Sequence, residues 1–234
     1  MLFAALTFTV VAQTSSPNNP VRKIQNLKQV PKVTTEFGLG IGARYNWLQT
    51  QPISSTFTPE ISMPVSYGAA LQFRLNIGRI VAFGLQPEIS YARTSIKIND
   101  KVNNLSTKAN SNIVQIPLLL SLRAAMFRFN AGPVFTLMDE ATYQLASTND
   151  ESVQQMHLGR LYPTVTYAAG VSVKFAKIMT LDLRFADQFR GKLADKLDKR
   201  ENQWIWTLDQ NKQPKAQSFR THCRSVQLRF GVVF

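Results

Sequence analysis

From Glu36 to Leu48 the chain alternates without a break. Phe37, Leu39, Ile41, Ala43, Tyr45 and Trp47 fall on one face, and Gly38, Gly40, Gly42, Arg44 and Asn46 on the other. A period of two held over this length predicts a long strand. The pattern returns along the chain. Tyr67, Ala69, Leu71, Phe73 and Leu75 oppose Gly68, Ala70, Gln72, Arg74 and Asn76. Val81, Phe83, Leu85, Pro87, Ile89 and Tyr91 oppose Ala82, Gly84, Gln86, Glu88, Ser90 and Ala92. Val114, Ile116, Leu118, Leu120 and Leu122 oppose Gln115, Pro117, Ser121 and Arg123, with Ile113 and Leu119 on the polar side. Phe127, Phe129, Ala131, Pro133, Phe135 and Leu137 oppose Arg128, Asn130, Gly132 and Thr136. Three further strands follow, over 164–175, 179–186 and 225–234. The only helical spacing is Leu193 and Leu197 in "KLADKLDKR", too short to change the class.

The connections between these eight strands alternate in length. Tight turns are expected around Ile77–Arg79, Ala124–Met126 and Ala176–Lys177, and long loops over 49–63, 99–111, 139–162 and 187–222. Such a long–short alternation describes an up-and-down meander whose ends face different compartments, with the short turns periplasmic and the long loops extracellular. An even strand count puts both ends of the barrel on the short-turn side. The expected fold is all-β: an eight-stranded antiparallel up-and-down transmembrane β-barrel over 36–234.

A soluble eight-stranded barrel such as a lipocalin would share the alternation but turn its apolar face inward. Composition decides between the two. The polar faces mix Gly, Ala, Ser and Gln with single charges: Arg44, Arg74, Glu88, Arg123, Arg128, Lys174, Asp182, Arg184 and Arg229. A narrow interior needs small residues with occasional long ones crossing it, whereas a wetted surface would be rich in Lys and Glu. The apolar faces carry aromatics near strand ends (Tyr45, Trp47, Tyr67, Tyr91, Phe127, Phe185, Phe234), as an interfacial girdle does. In lipid every backbone group must be satisfied, so the strands must close into a ring without a free edge. Glu88 and Asp182 are then the acids of a mostly basic lumen. Isolated buried charge is costly, and Arg74, on the neighbouring strand, is the expected partner of Glu88.

Charged residues make up 18% of the 234, low for a soluble chain, and the net charge is +13. Lys and Arg are scattered through turn-rich stretches instead of forming one face, which disfavours nucleic acid. The single Cys223 excludes an intramolecular disulfide, and no Cys or His spacing suggests a metal or cofactor. At the N-terminus, Leu2–Ala12 has the length of a signal-peptide apolar region, and Val10 and Ala12 are small residues before Gln13. This predicts a signal peptide over 1–12, lacking a basic n-region, and a flexible lead-in over 13–35.

The strand motifs "FGLGIGARYNWL", "GLQPEISYA", "QIPLLLSLR", "FNAGPVFTLM", "YAAGVSVKF", "LDLRFA" and "VQLRFGVVF" resemble, in that order, those of the PorT-like or porin-family outer-membrane β-barrels of the Bacteroidota. The resemblance implies a barrel in the cell outer membrane, exported by a signal peptide and inserted by the barrel-assembly machinery. It implies no assigned activity. An aromatic end resembles the signal that this machinery reads, which singles out Phe230 and Phe234.

The function expected is non-enzymatic: a barrel that anchors the envelope or meets a partner through basic loops. Trp204 and Trp206, amid mixed charge in the last long loop, suit contact with anionic lipopolysaccharide, membrane lipid or an envelope protein. One alternative is a small pore or secretion-associated barrel, which eight strands disfavour. The other is a lipid A-modifying enzyme. It would need a nucleophile, a base and an orienting acid, and no motif gathers these around His157 or His222.

Overall fold

A computed structural model describes residues 32–52, 60–62, 65–78, 80–100, 105–147, 150–157, 162–190, 196, 203–208 and 214–234. The expected signal peptide, the lead-in up to residue 31, and Leu193 and Leu197 lie outside the described residues.

The described strands are β1 (Val33–Pro52), β2 (Glu60–Ser62), β3 (Val65–Gly78), β4 (Val81–Asp100), β5 (Leu105–Ala124), β6 (Phe127–Ser147), β7 (Asp150–His157), β8 (Val165–Phe175), β9 (Met179–Gln188), β10 (Gln203–Leu208) and β11 (Pro214–Val233). Eight of them, β1, β3, β4, β5, β6, β8, β9 and β11, pair antiparallel in chain order, and β11 returns to β1. The register of that closing pair runs from Gly38↔Val233 to Pro52↔Phe219. Reciprocal bonds finish it: the Phe37 amide donates to the Phe234 carbonyl (3.1 Å) and the Phe234 amide to the Phe37 carbonyl (2.7 Å). The ring therefore has no free edge, the condition that lipid imposes.

Side chains keep the parity of the sequence. Phe37, Leu39, Ile41, Phe83, Leu120, Phe129, Leu183, Leu228 and Phe230 are exposed on the outer wall, while Gln72, Arg74, Gln86, Glu88, Asn130, Asp182 and Arg229 are buried inside. Ile113 and Leu119 also point inward. Leu119 packs with Val134, Ala168 and Ala186 in a small apolar layer of the lumen. The interior is polar and the exterior apolar, the inverse of a soluble barrel.

Two boundaries differ from the sequence expectation. The lead-in was expected to run to residue 35, but Val33, Thr34 and Thr35 already pair with Ile77, Asn76 and Leu75. The long loops are also shorter than expected, because strands run far past the membrane. On β4 the outward residues are apolar from Val81 to Tyr91, a rise of about 25 Å for a strand tilted near 40°. Beyond Tyr91, β4 continues to Asp100 with the outward Arg93, Ser95 and Lys97, paired throughout with β5. β6 and β7 extend the same wall, and β10 pairs with β11 from Gln203↔Phe219 to Leu208↔Pro214. Trp204 and Trp206 therefore sit on a strand, not in a loop. The alternating aromatic and β-branched "QWIWTL" favours that extended pairing. The side chains of Trp204 and Trp206 lie outside the described residues.

The tight turns all lie at the opposite end. Ala125 (φ 53°), Ala176 (φ 46°) and Lys177 (φ 63°) adopt left-handed backbone there, and Gly78 (φ 141°) occupies the first turn.

Candidate functional site: a lumen filled by three charge and hydrogen-bond tiers

Inward-facing residues on all eight barrel strands meet along the axis, and their order follows the strand register. The tier nearest the tight turns centres on Glu36 of β1. Its carboxylate lies 3.0 Å from Arg128, 3.0 Å from Lys174, 3.8 Å from Arg74 and 3.9 Å from Arg123. Arg128 also donates to Asn76 (2.7 Å) and Ser121 (3.3 Å). One acid thus draws a cation from the neighbouring β3 and others from β5, β6 and β8 across the ring.

The middle tier centres on Glu88. Arg184 donates through both terminal nitrogens to its two oxygens (2.8 and 3.0 Å), and Arg229 does the same (3.0 and 3.1 Å). Arg229 also reaches Asp182 through Nε (3.1 Å) and Nη2 (2.9 Å), and Gln86 donates to Glu88. Forked guanidinium–carboxylate pairs are the strongest geometry for such contacts. The Glu88 side chain has no exposed surface, and Arg229 has 2%. Glycines make the room. A Cβ on Gly40 would sit 2.8 Å from Arg229 Cδ, and one on Gly170 would sit 2.4 Å from the Leu183 carbonyl, beside the Arg184 backbone.

The expected Glu88–Arg74 couple is not what forms. Arg74 turns toward Glu36 and donates to Gln72 (2.7 Å), while the partners of Glu88 come from β9 and β11. The reason is geometric. The register sets Gln72, not Arg74, opposite Glu88 and sets Arg74 opposite Glu36, while Arg184 and Arg229 reach Glu88 across the axis.

The third tier lies toward the projecting strands. Arg44 donates to Gln115 (2.8 Å), whose amide donates to Thr136 (3.2 Å). Tyr162 spans the lumen: its hydroxyl donates to Asn46 (2.9 Å) and its backbone amide to Asp139, which also accepts from Ser111 (3.0 Å). Between this tier and Glu88 remains a cavity of about 20 Å³, lined by Arg44, Ser90, Gln115, Tyr162 and Arg229 among others. That is the space of about one water.

All nine lumen charges selected from the sequence, Arg44, Arg74, Glu88, Arg123, Arg128, Lys174, Asp182, Arg184 and Arg229, thus point inward, spread over three tiers. Sequence reasoning missed Glu36, although it shares the parity of Gly38 and Gly40. It also missed the surroundings of His222. On the outer wall, His222 Nε2 lies 3.1 Å and Arg224 Nε 3.2 Å from the Asp187 carboxylate, with Arg190 at 3.8 Å. On β9 Asp187 comes two residues after Phe185, where the outward apolar pattern ends, so nothing local marked it. The side chain of His157 lies outside the described residues. Phe230 and Phe234 both face outward, 40% and 73% exposed. Among the described residues no cluster of His, Cys, Asp and Glu could hold a metal ion.

The chain is similar to Ail, the attachment invasion locus protein of Yersinia pestis, solved in complex with the heparin analogue sucrose octasulfate. The identity is 11% and the TM-score 0.45, covering 86% of this chain and 99% of that one. It is similar to the outer membrane protein OprG of Pseudomonas aeruginosa at 10% identity and TM-score 0.45, covering 88% and 98%. It is similar to the outer membrane protease OmpT of Escherichia coli at 9% identity and TM-score 0.39, covering 86% and 96%. No curated protein matches the sequence. A family model described as the outer membrane protein beta-barrel domain matches residues 12–187, from ahead of β1 to the end of β9. The chain belongs to the outer membrane protein beta-barrel domain family.

Proposed function

We propose that this outer-membrane barrel is a closed structural scaffold that carries a surface-interaction wall, and that it is neither a pore nor an enzyme. The carrying observation is the filled lumen. Glu88 is held by two forked arginines, and the cavity between it and the tier above has the size of a single water. Ions would have to displace buried, mutually paired charges to cross, which eight strands leave no room to bypass.

The strands that continue past the apolar band support the second half of the reading. With the tight turns periplasmic, β4–β7 and the β10–β11 hairpin stand outside the cell, with the cations Arg93, Lys97 and Lys108 on the outward face. Their partner on this reading is anionic: lipopolysaccharide, or an acidic envelope protein that also meets Trp204 and Trp206. Within the family, the strand motifs favour the PorT-like group. Phe230 and Phe234 are the aromatic pair offered to the barrel-assembly machinery. The enzymatic alternative gains an Asp187–His222 pair but, among the described residues, no nucleophile beside it. Cys223 and Ser225 are buried on the lumen side of β11, while His222 faces outward.

Planar-bilayer recording tests the scaffold reading. The purified barrel is expected to give no stable conductance; a large stable conductance would make it a pore.

A further inference from the structure

The outer wall of the barrel is not evenly filled. In one transverse row, Phe230, Ile41, Ala69, Tyr91 and Val114 stand side by side on β11, β1, β3, β4 and β5. Ala69 is the one residue in that row without a branched or aromatic side chain. In the next row toward the tight turns stand Val232, Leu39, Leu71 and Ile89. Together these rows leave an apolar groove of about 700 Å³ centred on Ala69. A groove in an otherwise bulky, lipid-facing wall holds a chain in one place, where a smooth wall would let it slide.

Immediately above the groove the outward face changes chemistry. The next outward residue on β4 after Tyr91 is Arg93, and opposite it on β5 is Asn112, whose side chain accepts from the Tyr91 hydroxyl (2.8 Å). Two rungs higher, Lys97 stands directly opposite Lys108. Like charges directly across an antiparallel pair repel. No described carboxylate lies within ion-pair distance of Arg93, Lys97 or Lys108. Two lysines held face to face above an arginine are stabilised by an anion set between them. From Arg93 to Lys97 the strand rises about 13 Å, the scale of a lipid headgroup. The cations thus lie where a headgroup would sit if its acyl chain filled the groove below.

We propose that β3, β4 and β5 form a specific site for an outer-leaflet glycolipid bearing phosphate: the groove around Ala69 takes an acyl chain, and Arg93, Lys97 and Lys108 take the phosphate. The site rests on the orientation given above, with the projecting strands outside the cell. It does not depend on the lumen being closed. Its consequence is a barrel that carries its own bound lipid on one side, with the Lys97–Lys108 repulsion relieved only when that lipid is present.

The test uses the full chain folded in detergent, with native mass spectrometry reading lipid retention. The probes are diphosphoryl lipid A, the same lipid with its phosphates removed, and inorganic phosphate. The wild-type barrel is expected to retain diphosphoryl lipid A about tenfold or more tightly than the dephosphorylated lipid, and to ignore inorganic phosphate at the same concentration. The triple variant R93Q/K97Q/K108Q should lose the preference, and Ala69→Leu should weaken both lipids alike. A heat-shift gel reports folding of each variant, and the double variant K97Q/K108Q, confined to the projecting wall, should itself lower the preference. Equal retention of the two lipids by the wild type, or a preference that survives the triple variant, would overturn the phosphate site. Unchanged lipid binding by Ala69→Leu, or capture of inorganic phosphate alone, would overturn the groove. A conductance in planar bilayers would defeat the scaffold reading and leave this site standing.

Discussion

Glu88 is the residue on which the interior turns. It accepts four hydrogen bonds from two arginines that start on opposite sides of the ring from its own strand. Removing the charge of one partner in such a buried group strands the others. Glu88→Gln is expected to cost about 3–5 kcal/mol in urea unfolding from lipid vesicles. A loss under about 1 kcal/mol, the scale of an exposed pair, would show the network to be weakly coupled. A double-mutant cycle sharpens the point: Glu88 and Arg229 should couple strongly, Glu88 and Arg74 hardly at all. Gly40 belongs to the same scale. Gly40→Val would push into the Arg229 side chain, 2.8 Å from the new Cβ, and should lower stability nearly as much as losing Arg229 itself. The sequence made the parity of these residues legible, since a period of two leaves each charge only two possible faces. It did not make their partners legible. Glu88 and Arg229 are far apart in the chain and on strands that do not touch, and only the closed ring brings them together. Glu36 was missed for a simpler reason, because it stands where the lead-in was expected to end.

At the scale of the element, the strands were legible where one face is apolar and less so where both are polar. The alternation of β1, β3, β4, β6, β8, β9 and β11 within the membrane is written in residues such as Phe83, Gln86 and Phe129. Above the membrane that contrast fades: Lys108 and Asn110 read as loop, yet continuous backbone pairing carries them as strand. "QWIWTL" did carry an alternation, between Trp204 and Trp206 on one face and Ile205 on the other. It was overlooked because it lay inside a charged stretch. The tight turns give a further prediction. Ala125 is the first of two loop residues between the paired Ala124 and Phe127, and it holds φ at 53°. Left-handed backbone costs an L-residue about 1–2 kcal/mol, and glycine avoids most of that. Ala125→Gly should therefore raise the urea midpoint slightly. A clear drop would mean that the turn has another source of support. At the closing seam, the Phe234 ring faces out and its backbone exchanges two bonds with Phe37. Phe234→Ala keeps those bonds and removes the ring. It should slow assembly-machine-dependent insertion into membranes while leaving the heat stability of the inserted barrel near wild type.

The whole molecule is an inverted barrel: apolar outside, charged and paired inside, closed between β1 and β11. Tyr45, Trp47, Tyr67, Tyr91 and Tyr167 ring the outer wall on the projecting side, and Phe127, Phe175 and Phe234 lie toward the tight turns. These two belts bracket an apolar band of one bilayer thickness. Composition alone separated this arrangement from a soluble barrel, because small residues with single charges suit a narrow lumen. What the strands do beyond the apolar band was not legible, since it depends on where the cations of the projecting wall fall relative to that band. The most direct test of the inverted barrel is a spin-label scan along β11 in lipid bilayers, with Cys223 replaced and a nitroxide placed in turn at positions 226–232. Collisions with membrane-dissolved oxygen should peak at 226, 228, 230 and 232 and fall at 227, 229 and 231. Maxima at 227, 229 and 231 would turn the barrel inside out and contradict the account.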